Sequence, residues 1–294
     1  MLNKIKKIIS KKNKSKIICL TAYSKNFAEE IDKYTDIVLV GDSLGSVLYN
    51  YNSTRKVNLE NMIKHSKSVR MGVKKSLMVV DMPYKTYRNR KEALNNAKKI
   101  IKETKCEAVK LEGGTKIINI IKHLINNKIS VMGHLGILPQ SIKGKFKSKG
   151  NTEKEKVKLI KEAKLLEDAG VFAIVLECIK TTTSKLITNS IKIPTVGIGS
   201  SVYCDGQVLV TDDMLGLNKA NIRFVKKFVN LKKVINEGVK KFKKDVLNKK
   251  YPTKKYSYNY KNFLKASFIS KIPRSPRPPM INCIATINIT INPT

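Results

Sequence analysis

Eight short runs rich in Val, Ile and Leu recur along the chain, and they are continuously apolar rather than alternating. A strand that is apolar on both faces has to be covered on both, the condition of a parallel sheet flanked by helices. The runs are Lys16 to Ala22, Ile37 to Val40, Ser76 to Val80, Ala108 to Leu111, Ile129 to Met132, Phe172 to Leu176, Pro194 to Ile198 and Gln207 to Val210. Helical spacing of apolar residues fills the intervals, over 59–72, 91–104, 116–127 and 153–170, and the last two stop at Asn or Gly. Repeated β-α alternation predicts an α/β protein, a single (β/α)8 TIM barrel, with a doubly wound open sheet as the other architecture that fits.

The flanks differ from this pattern. Residues 1–15 form a basic N-terminal segment, 16–259 carry the barrel pattern, and 260–294 hold five basic residues, no acid and five of the nine prolines. Such a composition cannot support a core, so the tail is expected to be disordered or loosely attached. Only Ile8-Ile9 follows the basic start where a signal peptide would need a longer apolar stretch, and no run approaches the ~20 apolar residues of a membrane span. A cytoplasmic protein with no membrane partner is expected. Five scattered cysteines without a C-x-x-C pair indicate neither a disulfide framework nor a zinc cluster.

Fifty-nine Lys and Arg against 22 Asp and Glu leave a net charge of +37. The lysines are spread through the chain alongside many Asn and Ile, and aromatics are 6% with no Trp, so no basic stripe with interleaved stacking residues is present. No specific nucleic-acid partner is expected. Against this background the acids stand out, because one closes strand after strand: Asp42 in VLVGDS, Asp81 in MVVDMP, Glu112 in VKLEGG and Glu177 in IVLEC. The C-terminal strand ends of a barrel ring one face, so these carboxylates, with Lys110 and His134, converge on a shared pocket. Carboxylates facing one another repel unless a cation lies between them, and a hard divalent ion such as Mg²⁺, with oxygen ligands, would resolve the conflict. Salt bridges to lysine or helix capping would account for the same acids without a metal. Glu177, after a very apolar strand, is a candidate base, and His134, between Gly133 and Gly136, a candidate hydrogen-bond donor to a ligand.

The strings themselves resemble a known family. TAY (21–23), VGDSLG (40–45), HSKSVRMG (65–72), DMP (81–83), VKLEGG (109–114), GHLGILPQS (133–141), LEC (176–178), IPTVGIGS (193–200) and DGQVLVTDDMLG (205–216) occur in the order seen in the ketopantoate hydroxymethyltransferases, and YPTKKYSY resembles the family's closing motif. The resemblance covers residues 15 to 259. It implies a (β/α)8 barrel, commonly a homodecamer, that moves a one-carbon unit from 5,10-methylenetetrahydrofolate to 3-methyl-2-oxobutanoate and yields 2-dehydropantoate in pantothenate synthesis through a Mg-stabilised enolate. By motif matching, Asp42, Asp81 and Glu112 carry over as the Mg²⁺-associated carboxylates. Ser43, Asp81 and Lys110 correspond to ketoacid-binding positions, His134 joins them as a donor, and Glu177 matches the proton acceptor. The chain departs from the family at Ser24 after TAY, in SVLYNYNST after VGDSLG, in the shortened IKGKFKSKGN after PQS, and at Tyr203 and Cys204. Two other readings remain open: a Mg²⁺-dependent 2-oxoacid lyase or mutase on the same barrel, needing no folate, and a basic RNA-binding protein on an inactive barrel.

Overall fold

A computed structural model describes residues 2–141, 147–218 and 222–258. The chain runs through α1 (Leu2–Ile9), β1 (Ile17–Thr21), α2 (Lys25–Ile31), β2 (Ile37–Val40), α3 (Leu44–Tyr49), α4 (Leu59–Gly72), β3 (Leu77–Asp81), α5 (Arg90–Thr104) and β4 (Ala108–Glu112). It continues through α6 (Ile118–Asn126), β5 (Val131–Gly136), α7 (Glu153–Asp168), β6 (Ala173–Glu177), α8 (Thr181–Ser190), β7 (Thr195–Ile198), β8 (Gly206–Leu209), α9 (Thr211–Met214) and α10 (Leu231–Leu247). The eight strands close in sequence order, every pair parallel, with β8 returning to β1. The expected barrel is the fold. The chain divides into two compact units, one ending at Val234 and the other starting at Ile235.

Strand alternation divides the apolar residues of the barrel into two cores. Val38, Val40, Met78, Val80, Val109, Leu111, Ile174 and Leu176 point outward and pack under the helices, in one cluster with Met62, Val69, Ala97, Ile121 and Leu166. Ile37, Leu39, Leu77, Val79, Ala108, Met132, Ala173 and Val175 point inward and form the second. Helix starts follow local chemistry. Asn58, Asn89 and Thr152 each accept the backbone N–H three residues on, capping α4, α5 and α7.

The basic N-terminal segment turns out to belong to the barrel. Ile5 and Ile8 of α1 are buried in the inner core. The lysines around them pair with acids of the barrel base: Lys4 with Glu107 at 3.2 Å, Lys11 with Asp36 at 2.6 Å and Lys12 with Asp205 at 2.9 Å. Strand β5 also corrects the sequence reading, which ended it at Met132. It extends to Gly136, and Gly133 lies mid-strand against Leu166 of α7. Strict β-α alternation fails once, since β7 and β8 are joined without a helix. The expected tail, 260–294, lies outside the described residues, as do 142–146 of the shortened loop. No helix among the described residues is long and apolar enough to cross a membrane.

In the second unit, α10 presents Ile235, Val239, Phe242 and Val246 at spacings of one helical face, all exposed. Tyr251 packs edge-on to Phe242 and lies 6.0 Å from Tyr256.

One buried acid holds a corner of the barrel. Asp32, after α2, accepts the backbone N–H groups of Lys74, Lys75 and Ser76 at 2.8–3.2 Å. Burial alone would raise its pKa, but these donors outweigh it and hold the carboxyl below its usual value. Asp32→Asn is therefore expected to cost about 1–3 kcal/mol of stability at pH 7. Because the folded value lies below the unfolded ~3.9, the charge-dependent part is fully present above that pH and is lost as pH falls through the folded value. Urea unfolding of both proteins at pH 7 and pH 3 checks this; a gap unchanged between the two would refute it.

Candidate active site

Strand register assembles the site. Asp81 ends β3 opposite Lys110 of β4, Glu112 ends β4 opposite His134 of β5, and Glu177 ends β6 opposite Gly136. Parallel pairing brings residues distant in sequence to neighbouring strand ends without any local signal. Lys110 Nζ stands 3.0 Å from Asp81 Oδ1 and 3.3 Å from His134 Nδ1. His134 Nδ1 is 3.7 Å from Glu112 Oε1, and its Nε2 is 3.2 Å from Glu177 Oε2. Asp42 follows β2, and its backbone N–H donates to Asp81 Oδ2 at 3.1 Å. Gly41 leaves room for the Ser43 side chain, since a Cβ there would lie 2.9 Å from Ser43 Oγ. Ser43 in turn shares a 2.8 Å hydrogen bond with the Tyr23 hydroxyl.

All seven sequence-predicted residues, Asp42, Ser43, Asp81, Lys110, Glu112, His134 and Glu177, line one cleft of about 610 Å³ at the C-terminal ends of the strands. Asp42, Asp81, Lys110 and Glu112 are each no more than 5% exposed, so their charges interact with little help from water. Burial and the neighbouring Asp81 charge push Asp42 up to about 7, against the opposing pull of Lys110 and Gln140. Burial and Asp42 raise Glu112 well above the usual carboxylate range. Burial would lower Lys110, but Asp81, Glu112 and Asp42 raise it instead, and Nζ keeps its proton. Burial and the Lys110 charge lower His134. The ring is therefore neutral near pH 7. Because Lys110 can only donate, His134 Nδ1 is the acceptor and Nε2 carries the hydrogen. That N–H lies near Glu177 but is not aligned into a hydrogen bond.

An all-oxygen carboxylate set with one lysine leaves buried negative charge in excess, which a divalent cation would offset. Asp81 Oδ1 is buried, and its partner among the described residues is the Lys110 ammonium at 3.0 Å. Among the described residues, no three His, Cys, Asp or Glu side chains enclose a metal by themselves. An ion held here would be bound by few protein oxygens and completed by ligand and water.

The sequence reading missed Gln140. It is 2% exposed, and its Nε2 donates to Asp42 Oδ2 at 2.8 Å and to the Met82 carbonyl at 3.0 Å. Its backbone N–H donates to Glu112 Oε2 at 3.0 Å, and its Oε1 accepts from the Tyr87 hydroxyl at 2.5 Å. An uncharged amide inside GHLGILPQS gave no charge signal, and only its place in an apolar stretch hinted at burial. Cys178, read only as one of five scattered cysteines, has φ +50, a strained conformation for a side-chain-bearing residue, at the turn just after Glu177. In the turn after β7, Ser200 Oγ bonds Ser184 Oγ and the Ile179 carbonyl, and Ser201 Oγ accepts from the Tyr203 N–H. Ser24 precedes α2 without a capping hydrogen bond.

Comparison with known proteins places this geometry. A model of the ketopantoate hydroxymethyltransferase family matches residues 3–254. The 3-methyl-2-oxobutanoate hydroxymethyltransferase of Pelagibacter ubique (strain HTCC1062) is 65% identical over 258 residues, 88% of this chain and 100% of that one. That of Helicobacter acinonychis (strain Sheeba) is 42% identical over 253 residues, 85% of this chain and 94% of its own. Among solved structures, phosphonopyruvate hydrolase complexed with oxalate and Mg²⁺ has a TM-score of 0.56 at 9% identity, covering 89% of this chain and 94% of that one. 2,3-Dimethylmalate lyase, a PEP mutase/isocitrate lyase superfamily member, has a TM-score of 0.55 at 11% identity, covering 90% of this chain and 97% of that one. At such identities the solved structures share the fold alone. The extent of the family match and the full-length relative at 65% identity make this chain an enzyme that belongs to the ketopantoate hydroxymethyltransferase family.

Proposed function

We propose that the chain transfers a hydroxymethyl group from 5,10-methylenetetrahydrofolate to 3-methyl-2-oxobutanoate, giving 2-dehydropantoate for pantothenate synthesis, with Mg²⁺ in the carboxylate ring. One observation carries the reading: Asp42, Asp81, Lys110, Glu112, His134 and Glu177 line a single cleft with surplus buried negative charge. Asp42 and Asp81 would hold the ion, with Glu112 nearby, and the ion would supply Lewis-acid polarisation of the ketoacid carbonyl. Lys110, kept protonated by its acids, serves as a fixed positive charge beside the ketoacid rather than as a Schiff-base nucleophile. Tyr23 holds the Ser43 hydroxyl in place for the ketoacid's carboxylate. The Glu177 carboxylate takes the C3 proton, with the His134 Nε2 hydrogen beside it to orient the acceptor. Gln140 keeps Asp42 and Glu112 in place, donating to one from its side chain and to the other from its backbone.

The reading extends to a homo-oligomer such as the family's decamer, supported by the exposed apolar face of α10. It also extends to the cytoplasm, supported by the free thiols of Cys19, Cys106, Cys178 and Cys204.

Purified protein given 3-methyl-2-oxobutanoate and Mg²⁺ should form 2-dehydropantoate only when 5,10-methylenetetrahydrofolate is added. Cleavage of a 2-oxoacid without the folate would favour the lyase reading instead. Glu177→Gln should slow exchange of the C3 hydrogen with deuterated water by about 10²–10⁴-fold; an unchanged exchange rate removes Glu177 as the base. Gln140→Ala should weaken Mg²⁺ binding, measured by calorimetry, and lower kcat/KM, each by about 10–100-fold. Wild-type Mg²⁺ affinity in that variant would refute its positioning role. Light scattering after size exclusion should give a multimeric mass that falls with Phe242→Asp; an unchanged mass would show that α10 lies outside the interface.

A further inference from the structure

The reaction centre uses only part of the cleft. Its other wall is formed by Val208, Val210, Ile222, Phe224 and Val225, with a single carboxylate among them, Asp213 of α9. Asp213 is 8% exposed, and its Oδ1 accepts a 2.7 Å hydrogen bond from Asn218 Nδ2. No other side-chain hydrogen bond or ion pair reaches this carboxylate among the described residues. In a chain with 59 basic side chains, that isolation is a specific arrangement. A buried carboxylate short of partners is costly unless a ligand completes it. Phe224 lies over the β7 turn at Gly199, whose φ is +57 and where a Cβ would come within 2.6 Å of the ring. The glycine therefore lets an aromatic ring form one side of the cleft beyond the carboxylate ring.

A carboxylate set in an apolar, aromatic-walled slot matches a flat heterocycle that carries two N–H donors side by side on one edge. The 2-amino-4-oxopyrimidine edge of a pterin is such a group: its ring N–H and exocyclic amine address one carboxylate together, while its faces are apolar enough to stack on Phe224. We infer that Asp213 and the Phe224 wall form the subsite for the pterin ring of the one-carbon donor, across the cleft from the ketoacid. This rests on the folate-dependent reading above. A cleft of about 610 Å³ falls in the size range of sites that take such a ligand beside a small acid.

Calorimetric titration with tetrahydrofolate and with its 2-desamino-2-methyl analogue tests the assignment. Asp213→Asn, which sets an amide against the ligand's donors, should weaken tetrahydrofolate binding by about 10–100-fold. Affinity for 3-methyl-2-oxobutanoate should stay within about twofold, because the ketoacid lies against other residues. The wild type should bind the analogue more weakly than tetrahydrofolate, and in Asp213→Asn that discrimination should vanish. Phe224→Ala, at a partly exposed position, should weaken tetrahydrofolate by about 2–10-fold without altering the discrimination. Undiminished tetrahydrofolate affinity in Asp213→Asn, or discrimination that survives the substitution, overturns the subsite. Parallel loss of ketoacid binding also overturns it, by making Asp213 structural. Should wild-type protein bind the ketoacid but not tetrahydrofolate, the folate reading itself falls, and the subsite with it.

Discussion

Excess negative charge, buried where β2, β3, β4 and β6 end, sets the terms for the upper half of this barrel. Asp42, Asp81, Glu112 and Glu177 meet one lysine and a neutral histidine in a space with little water. Such a group is stable only if each oxygen is held by a donor or a cation. Lys110 answers Asp81, the Gln140 side chain answers Asp42, and the Gln140 backbone answers Glu112. What these leave uncompensated is expressed in carboxyls raised toward protonation at Asp42 and Glu112.

The chain confines that tension to one end. The interior below the site is filled by aliphatic side chains and sealed by α1, so the charged layer rests on a close-packed floor. Lys110 and Asp81 are adjacent because β3 and β4 pair in one register; a one-residue slip of β4 would turn Lys110 to the helix-covered face. The geometry of the cleft is thus enforced by packing well away from it.

The strand count and the carboxylate positions were legible in sequence because continuous apolar runs and scarce acids are both conspicuous in a lysine-rich chain. Contacts between strand ends were not. Asp81 and Lys110 are 29 positions apart, and nothing local says which lysine among so many will meet a given acid. Gln140 escaped for a related reason: an amide becomes important through what it bonds in three dimensions. Residues 1–15 read as a charged segment because their few isoleucines were outnumbered, yet Ile5 and Ile8 are the ones that enter the core. The strand read as ending at Met132 runs on to Gly136, because glycine gives no apolar signal even where its backbone packs against Leu166.

The plug at the barrel base bears on the order of folding. Lys12 meets Asp205, a partner 193 residues further along the chain. During synthesis the segment after α1 therefore cannot complete this contact until Asp205 has been made, nearly the length of the barrel later. Such a distant closure is entropically slow. Until it forms, the lysine that follows α1 lacks the acid that ties it to the barrel base, although Lys4 can already meet Glu107.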